Sequence, residues 1–333
     1  MRIAVVDIGT NSFLCLVCDV SQASDARAGG ANSANGSSGD SAVRDDGEHG
    51  NNNALKVISD ICKVVRLGEK VHANRAFLPE ALTRAESAFS EFSEIIAQHN
   101  VNHIIGIATS AARDVSNGAE LIKLGMKYKI PIKIIDGETE ALMSYAGACS
   151  AFPHESKKLN ILVVDVGGGS TELIYKDVNT KELKAQSFDV GCVRLTEMFF
   201  KNDPVETQEL NALSKFASKT LSSFGRVKSE LVVAVSGTPT TLACIAQKID
   251  FNPDLVEGYS FTRSSLEQLT QNLSQKTLKE KENLKGLDPL RADVIVAGGA
   301  LLIAALDIAN ASQLMVSTRG LRYGVALNFR DFT

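Results

Sequence analysis

The sequence has no excess of basic residues: 35 Lys and Arg stand against 39 Asp and Glu, a formal net charge of −4 at pH 7. A chain without a global positive field does not hold nucleic acid or an anionic membrane by charge alone. Any polyanionic ligand must meet a local cluster of donors. Long hydrophobic runs are missing as well. The most apolar stretch, VIVAGGALLIAAL at 294–306, falls short of the roughly 18–20 residues that a membrane-spanning helix needs. The N-terminus, MRIAVVDIG, carries one arginine and a very short apolar run before Asp7, too little for a signal peptide. Histidines 49, 72, 99, 103 and 154 show no metal-ligand spacing. The six cysteines are scattered. Cys15 and Cys18 have CxxC spacing, but FLCLVCDV reads as a buried strand, where positions three apart face opposite ways. They are expected to be small buried hydrophobes rather than a redox or metal pair. A reduced, cytoplasmic protein without nucleic-acid or membrane partners is the expectation.

What is present is ordinary globular material, 44% hydrophobic and 22% charged over 333 residues. At about 150 residues per domain, two domains are expected. Residues 21–53 hold one branched aliphatic, Val43, and no aromatic. Such a segment buries too little apolar surface to offset its ordering entropy and is read as a disordered loop insertion. Strand-like and helical patterns alternate after it. LKVISDICKVVRL (55–67), IIGIA (104–108) and IPIKII (130–135) read as strands. Residues 79–99 form an amphipathic helix with Leu82, Ala85, Phe89, Phe92, Ile96 and His99 on one stripe. A further helix spans 138–150, and strands follow at 160–166, 172–177, 183–189, 231–236 and near 313–317. This alternation indicates an α/β fold.

The chain also contains an internal control. VVDIGTNSFLCLVCD (5–19) lies on VVDVGGGSTELIYKD (163–177) without a gap, and Asp7/Asp165, Gly9/Gly167 and Ser12/Ser170 coincide. Both read as strand, tight polar turn, strand, which suggests two similar subdomains. Backbone N–H groups of a Gly-rich turn can converge on a phosphate, and an aspartate just before it can hold Mg²⁺. The plainer reading is a pair of hairpin turns that use Asp and Gly for turn chemistry. Position 172 is Glu where its counterpart is Leu14, so the hairpin does not need the glutamate. A carboxylate at a site that accepts leucine is a candidate for chemistry.

Several blocks then resemble the exopolyphosphatase/guanosine pentaphosphate phosphatase family. They are MRIAVVDIGTNS, ATSAARDVSNG (108–118), GETEA (137–141), VVDVGGGSTEL, SFDVGCVRLTEMF (187–199), VSGTPTTLA (235–243), RADVIVAGGALL (291–302) and STRGLRYG (317–324). The blocks keep the family's order from residue 1 to about 325. The resemblance implies two duplicated actin-like ATPase (ribonuclease H-like) domains with the active site in the cleft between them. Residues 1–136 with the C-terminal segment 311–333 are expected to form domain I, and 137–310 domain II. The chain stops just after the second lobe and so resembles the short form.

The same resemblance implies site residues. Gly9, Thr10, Asn11 and Ser12 match the first phosphate loop; Gly167, Gly168, Gly169 and Ser170 match the second. Asp165, Asp7 and Glu172 are the expected Mg²⁺ ligands. Glu140 takes the place of the catalytic base, with Thr139 departing from the pattern just before it, and Glu172 serves as the acidic residue of the second loop. Arg113 is the expected side-chain phosphate ligand. Gly237 and Thr238 could line the cleft, although helix capping by a Thr is the simpler reading. Arg291 and Arg319 are either phosphate contacts or packing residues, and the role of Arg66 stays open. The expected activity is Mg²⁺-dependent release of orthophosphate from inorganic polyphosphate. Its rivals are guanosine pentaphosphate 5′-phosphohydrolysis in the stringent response, and a non-catalytic sensor of that nucleotide. A homodimer is implied by the resemblance alone.

Overall fold

The computed structural model describes residues 1–21, 55–152 and 157–333; beyond Ser21, the expected 21–53 insertion lies outside the described residues. The first sheet is built from β1 (Arg2–Ile8), β2 (Ser12–Val20), β3 (Leu55–Val64), β4 (His103–Ala108) and β5 (Ile132–Ile134), in the order β3-β2-β1-β4-β5. β1, β2 and β3 pair antiparallel, while β1, β4 and β5 run parallel. The second sheet contains β6 (Ile161–Val166), β7 (Thr171–Lys176), β8 (Leu183–Phe188), β9 (Leu231–Val235), β10 (Ser260–Thr262) and β11 (Gln313–Val316), in the order β10-β11-β9-β6-β7-β8. Read from its other edge, β8-β7-β6-β9-β11 repeats the first sheet strand for strand, and β10 is added antiparallel at the margin. The molecule is a duplicated, actin-like α/β fold.

The central strands are buried on both faces, which is why they read as nearly continuous apolar runs. Ala4, Val6 and Ile8 pack into one core of the first lobe, and Ile3 and Val5 into the core on the opposite face. Cys15 and Cys18 obey the same alternation: both are buried and free, one in each of these cores. No helix among the described residues is long and apolar enough to cross a membrane.

Two helices tie the lobes together by exchange. The helix Gly137–Ala151 follows β5 of the first sheet, yet Ala141 and Ala148 pack on Ile161, Val163 and Val233 of the second. The helix Leu321–Leu327 follows β11 of the second sheet, yet Leu321, Tyr323 and Val325 pack on Ile3, Val5 and Leu16 of the first. The segment 311–333, grouped in sequence with domain I, is therefore divided. Gln313–Val316 belongs to the second sheet, because the duplication requires a fifth strand there as the counterpart of β5. The chain crosses back only with the helix at 321.

The exchanged helices meet backbone to backbone. A Cβ at Gly147 would collide with the Gly320 carbonyl, and one at Gly324 with the Met143 carbonyl. Neither neighbour is a flexible side chain that could move aside. Gly324→Ala is therefore expected to cost about 1–3 kcal/mol through overpacking, read as a lower midpoint in thermal unfolding. An unchanged midpoint would show that the helices tolerate separation at this crossing.

Candidate active site

The duplicated hairpins place their turns at one end of each sheet. Asp7 pairs with Leu14 across β1–β2, and Asp165 pairs with Glu172 across β6–β7, so the sequence alignment is also a structural one. Both turns close in the same way. The Gly9 amide donates to the Ser12 carbonyl at 3.1 Å, and the Gly167 amide to the Ser170 carbonyl at 3.0 Å. These two glycines were expected among the phosphate ligands, but their N–H groups are taken up by the turns. The donors left to an anion begin one residue later.

The glycines that follow in the second loop serve a further purpose. A Cβ on Gly168 would lie 2.9 Å from Thr10 Cβ, and one on Gly169 would lie 2.7 Å from Ser110 Oγ. Thr10 and Ser110 belong to the first lobe, so the missing side chains let the two loops approach face to face. A cavity of about 740 Å³ opens beside this contact. Asp7, Gly9, Thr10, Asn11, Ser12, Glu140, Asp165, Gly167, Gly168, Gly169, Ser170, Gly237 and Thr238 all line it, which brings most of the expected site together.

Glu140 occupies the first turn of the helix Gly137–Ala151, whose end is capped by Asp136 accepting from the Thr139 amide at 2.7 Å. The carboxylate is buried on the cavity wall and receives Arg113 Nη1 at 2.9 Å. Burial pushes the Glu140 pKa up to about 7, the Arg113 charge and hydrogen bond pull against it, and Asp165 pushes it further up. Arg113 also donates to the Ile135 carbonyl at 2.8 Å and does not line the cavity. The guanidinium expected to meet phosphate is thus paired with Glu140, a carboxylate of the protein itself.

Glu172 was expected to face the cleft, and here too the placement differs. It is 1% exposed, does not line the cavity, and accepts from Ser187 Oγ of the neighbouring strand at 2.7 Å. It stands opposite Asp165 across β6–β7, close enough that burial, then Glu140 and Asp165, raise its pKa well above the usual carboxylate range. Asp165 is raised by burial, opposed by the hydroxyls of Ser144 and Ser236. Ser144 Oγ donates to it at 2.6 Å. Asp7 is raised to about 8 by burial, with Arg322 opposing and Asp165 and Glu140 adding to the shift.

Four buried acids that resist ionisation form a donor set that calls for positive charge. Among the described residues no three His, Cys, Asp or Glu side chains are arranged to enclose a metal by themselves. Mg²⁺ does not require such a cage, since it keeps several waters and takes one or two carboxylates together with substrate phosphates. The residues present fit that mode, with Asp165 and Asp7 on the cavity wall. Asn11 Oδ1, buried nearby without a hydrogen-bond partner, is a further acceptor at the same place.

Cationic groups enter the cavity from two directions. Arg322 is held by Asp60 through two bonds of 2.8 and 2.7 Å, and Tyr323 Oη adds a third at 2.9 Å. Arg291 crosses from the second lobe and donates to Ser12 Oγ of the first loop at 2.8 Å. It lies over the start of the helix Gly237–Gln247, where a Cβ on Gly237 would strike its guanidinium. Ser236 precedes that helix with φ 84° and no side-chain cap bond, so Thr238 lines the cavity and does not cap. The helix N-terminus and Arg291 together favour an anion there. Arg319 instead donates to the Ser150 carbonyl at 3.2 Å and takes no part in the cavity.

Sequence reasoning passed over Asp60, Arg322, Ser144 and Ser187. Asp60 was the one with a local signal, a carboxylate inside the apolar strand LKVISDICKV. Removing its partner by Arg322→Met would leave the Asp60 carboxylate, which is partly open to solvent, without its cation. The expected loss is about 1–3 kcal/mol, that of a hydrogen-bonded charge pair partly open to water, measured by chemical denaturation; a change near zero would mean that solvent replaces the pair.

Comparison with known proteins gives the family of the chain. The model of the Ppx/GppA phosphatase family matches residues 43–331. Exopolyphosphatase 2 of Mycobacterium tuberculosis is 31% identical over 344 aligned residues, covering 98% of both chains. A guanosine-5′-triphosphate,3′-diphosphate pyrophosphatase of Aliivibrio fischeri is 28% identical over 84% of this chain and 55% of its own length. Among solved structures, an exopolyphosphatase from Cytophaga hutchinsonii superposes with a TM-score of 0.80 at 26% identity, covering 99% of this chain and 98% of that one.

Proposed function

Since the chain belongs to the Ppx/GppA phosphatase family and is a phosphoanhydride hydrolase, we propose that it releases terminal orthophosphate from inorganic polyphosphate by attack of water. The observation that carries this reading is Glu140, a buried carboxylate on the cavity wall with a pKa near 7, oriented by Arg113 and facing the two loops. Phosphoryl transfer depends mainly on positioning and charge stabilisation, with little covalent work for the protein. Glu140 holds the attacking water and accepts its proton as the bond to phosphorus forms. The amides of Thr10–Ser12 and Gly168–Ser170, with Arg291 and the start of the helix Gly237–Gln247, stabilise the charge on the transferred group. Asp165 and Asp7 are the residues that would hold Mg²⁺, which would supply positive charge to offset that of the phosphate.

A second reading is favoured by another group of residues that line the cavity. Phe251, Leu287 and Pro289 line it together with Asp250 and Asp288. An apolar and acidic wall suits a nucleobase better than more phosphates, which supports guanosine pentaphosphate as the substrate. A non-catalytic sensor of that nucleotide would make no use of Glu140 as a base. Orthophosphate release from the two substrates, assayed in parallel, separates the readings: polyphosphate turns over faster on the first and the nucleotide on the second.

Glu140→Gln keeps the shape of the site and removes the base. Turnover is expected to fall by roughly two to four orders of magnitude while substrate binding survives; near-normal turnover would exclude Glu140 from the mechanism. The base acts ionised, so kcat/KM should rise with pH through an apparent pKa near 7. Arg113 holds that pKa down, so Arg113→Met should move the same limb to higher pH. A limb that stays in place or moves to lower pH would show that Arg113 does not tune the base.

A further inference from the structure

The helix Cys192–Phe199 of the second lobe carries Arg194, a side chain the mechanism above does not use. Its guanidinium makes three contacts. Nε donates to the Gly169 carbonyl at 3.0 Å, Nη2 donates to Asp114 Oδ2 at 2.6 Å, and Nη1 lies 3.1 Å from His72 Nδ1. Gly169 belongs to the second phosphate loop, whereas Asp114 and His72 belong to the first lobe. The pair is shielded, with the Arg194 side chain 12% exposed and that of Asp114 24%. Screening by salt is correspondingly weak.

The neighbours of this cluster give it meaning. Asp114 directly follows Arg113, the residue that holds Glu140. Gly169 is the residue whose missing side chain admits Ser110 and Thr10. One guanidinium therefore joins the peptide of the second loop to the segment that orients the base. If the lobes moved apart, Arg194 could keep the Gly169 carbonyl but would lose Asp114. Among the described residues, the bridges between the lobes from Arg66, Lys70 and Arg291 lack this connection, the last reaching Ser12 of the first loop. Arg66 grips Asp293 at 2.9 and 2.6 Å, and the Lys70 amide donates to Glu197 at 2.8 Å, without touching the second loop or the partner of Glu140.

We propose that Arg194 is a positioning residue that couples closure of the two lobes to assembly of the active site. With the lobes together it fixes the Gly169 peptide and, through Asp114, the Arg113–Glu140 pair; it touches no substrate. Arginine suits the task because its planar fork serves several acceptors at once, which a lysine ammonium on a flexible stem does not. The proposal rests on Glu140 as the base.

The test uses Arg194→Met, Arg194→Lys, Asp114→Asn and the double variant Arg194→Met/Asp114→Asn in the full chain. Arg194→Met and Asp114→Asn should each lower kcat by about 10–100-fold, a loss typical of a misplaced constellation, with KM little changed. The double variant should fall no further than Arg194→Met, because both changes remove one interaction. Arg194→Lys should lie between it and the wild type. Hydrogen exchange, which needs no substrate, should show faster exchange over residues 167–170 in Asp114→Asn, although Asp114 lies in the other lobe. Turnover and exchange as in the wild type for Asp114→Asn would overturn the proposal, as would additive losses in the double variant. If Glu140→Gln retained turnover, the base assignment would fall, and the exchange result alone would decide the coupling: faster exchange supports it and unchanged exchange overturns it.

Discussion

The contact between Gly147 and Gly324, where two exchanged helices cross backbone against backbone, is the constraint on which the rest of the structure depends. Each helix leaves one sheet and packs on the other, so neither lobe completes its inner core alone. The crossing sets the separation of the sheets. It therefore also sets where the ends of β1 and β6 meet, and with them Asp7, Asp165 and the two loops. Gly168 and Gly169 continue the same principle at the cavity, since their missing side chains let Thr10 and Ser110 of the opposite lobe come close.

This apposition concentrates negative charge. Asp7, Glu140, Asp165 and Glu172 are buried within one another's fields, and each is pushed toward its neutral form. Isolated, such a cluster would only destabilise the fold. Arg113 and Arg322 offset part of it, one held against Glu140 and the other against Asp60. Arg291 is the guanidinium on the cavity wall whose recorded partners are neutral, Ser12, Thr241 and Cys62. The division of labour follows from these pairings. Two arginines hold the protein's own acids in place, and the third can meet an incoming phosphate.

Much of the fold was legible because local patterns carry it. The hairpins at 5–19 and 163–177 share their Asp-Gly turns, and the strand and helix boundaries follow from apolar periodicity to within a few residues. The contrast between Leu14 and Glu172 marked a real asymmetry of the repeat, with both residues standing opposite an aspartate. What stayed hidden lies in pairings across long stretches of chain. Arg322 and Asp60 are 262 residues apart, and nothing near either one announces the other. Arg113 read as a phosphate ligand because a sequence block cannot say which anion an arginine faces. The packing of Gly168 and Gly169 against Thr10 and Ser110 stayed hidden because close approach of a second lobe leaves no mark in the sequence of the first. The return of the chain at 321, rather than at 311, follows from the need for a fifth strand, which only the assembled sheet reveals.

The central claim is that water, held by Glu140, attacks the terminal phosphorus of a phosphoanhydride. Its most direct test is turnover in isotopically labelled water, followed by mass analysis of the released orthophosphate and of the shortened substrate. The account predicts one labelled oxygen in each orthophosphate and none in the remaining chain. Label in the shortened substrate, or orthophosphate free of label, would place the attack elsewhere and contradict it.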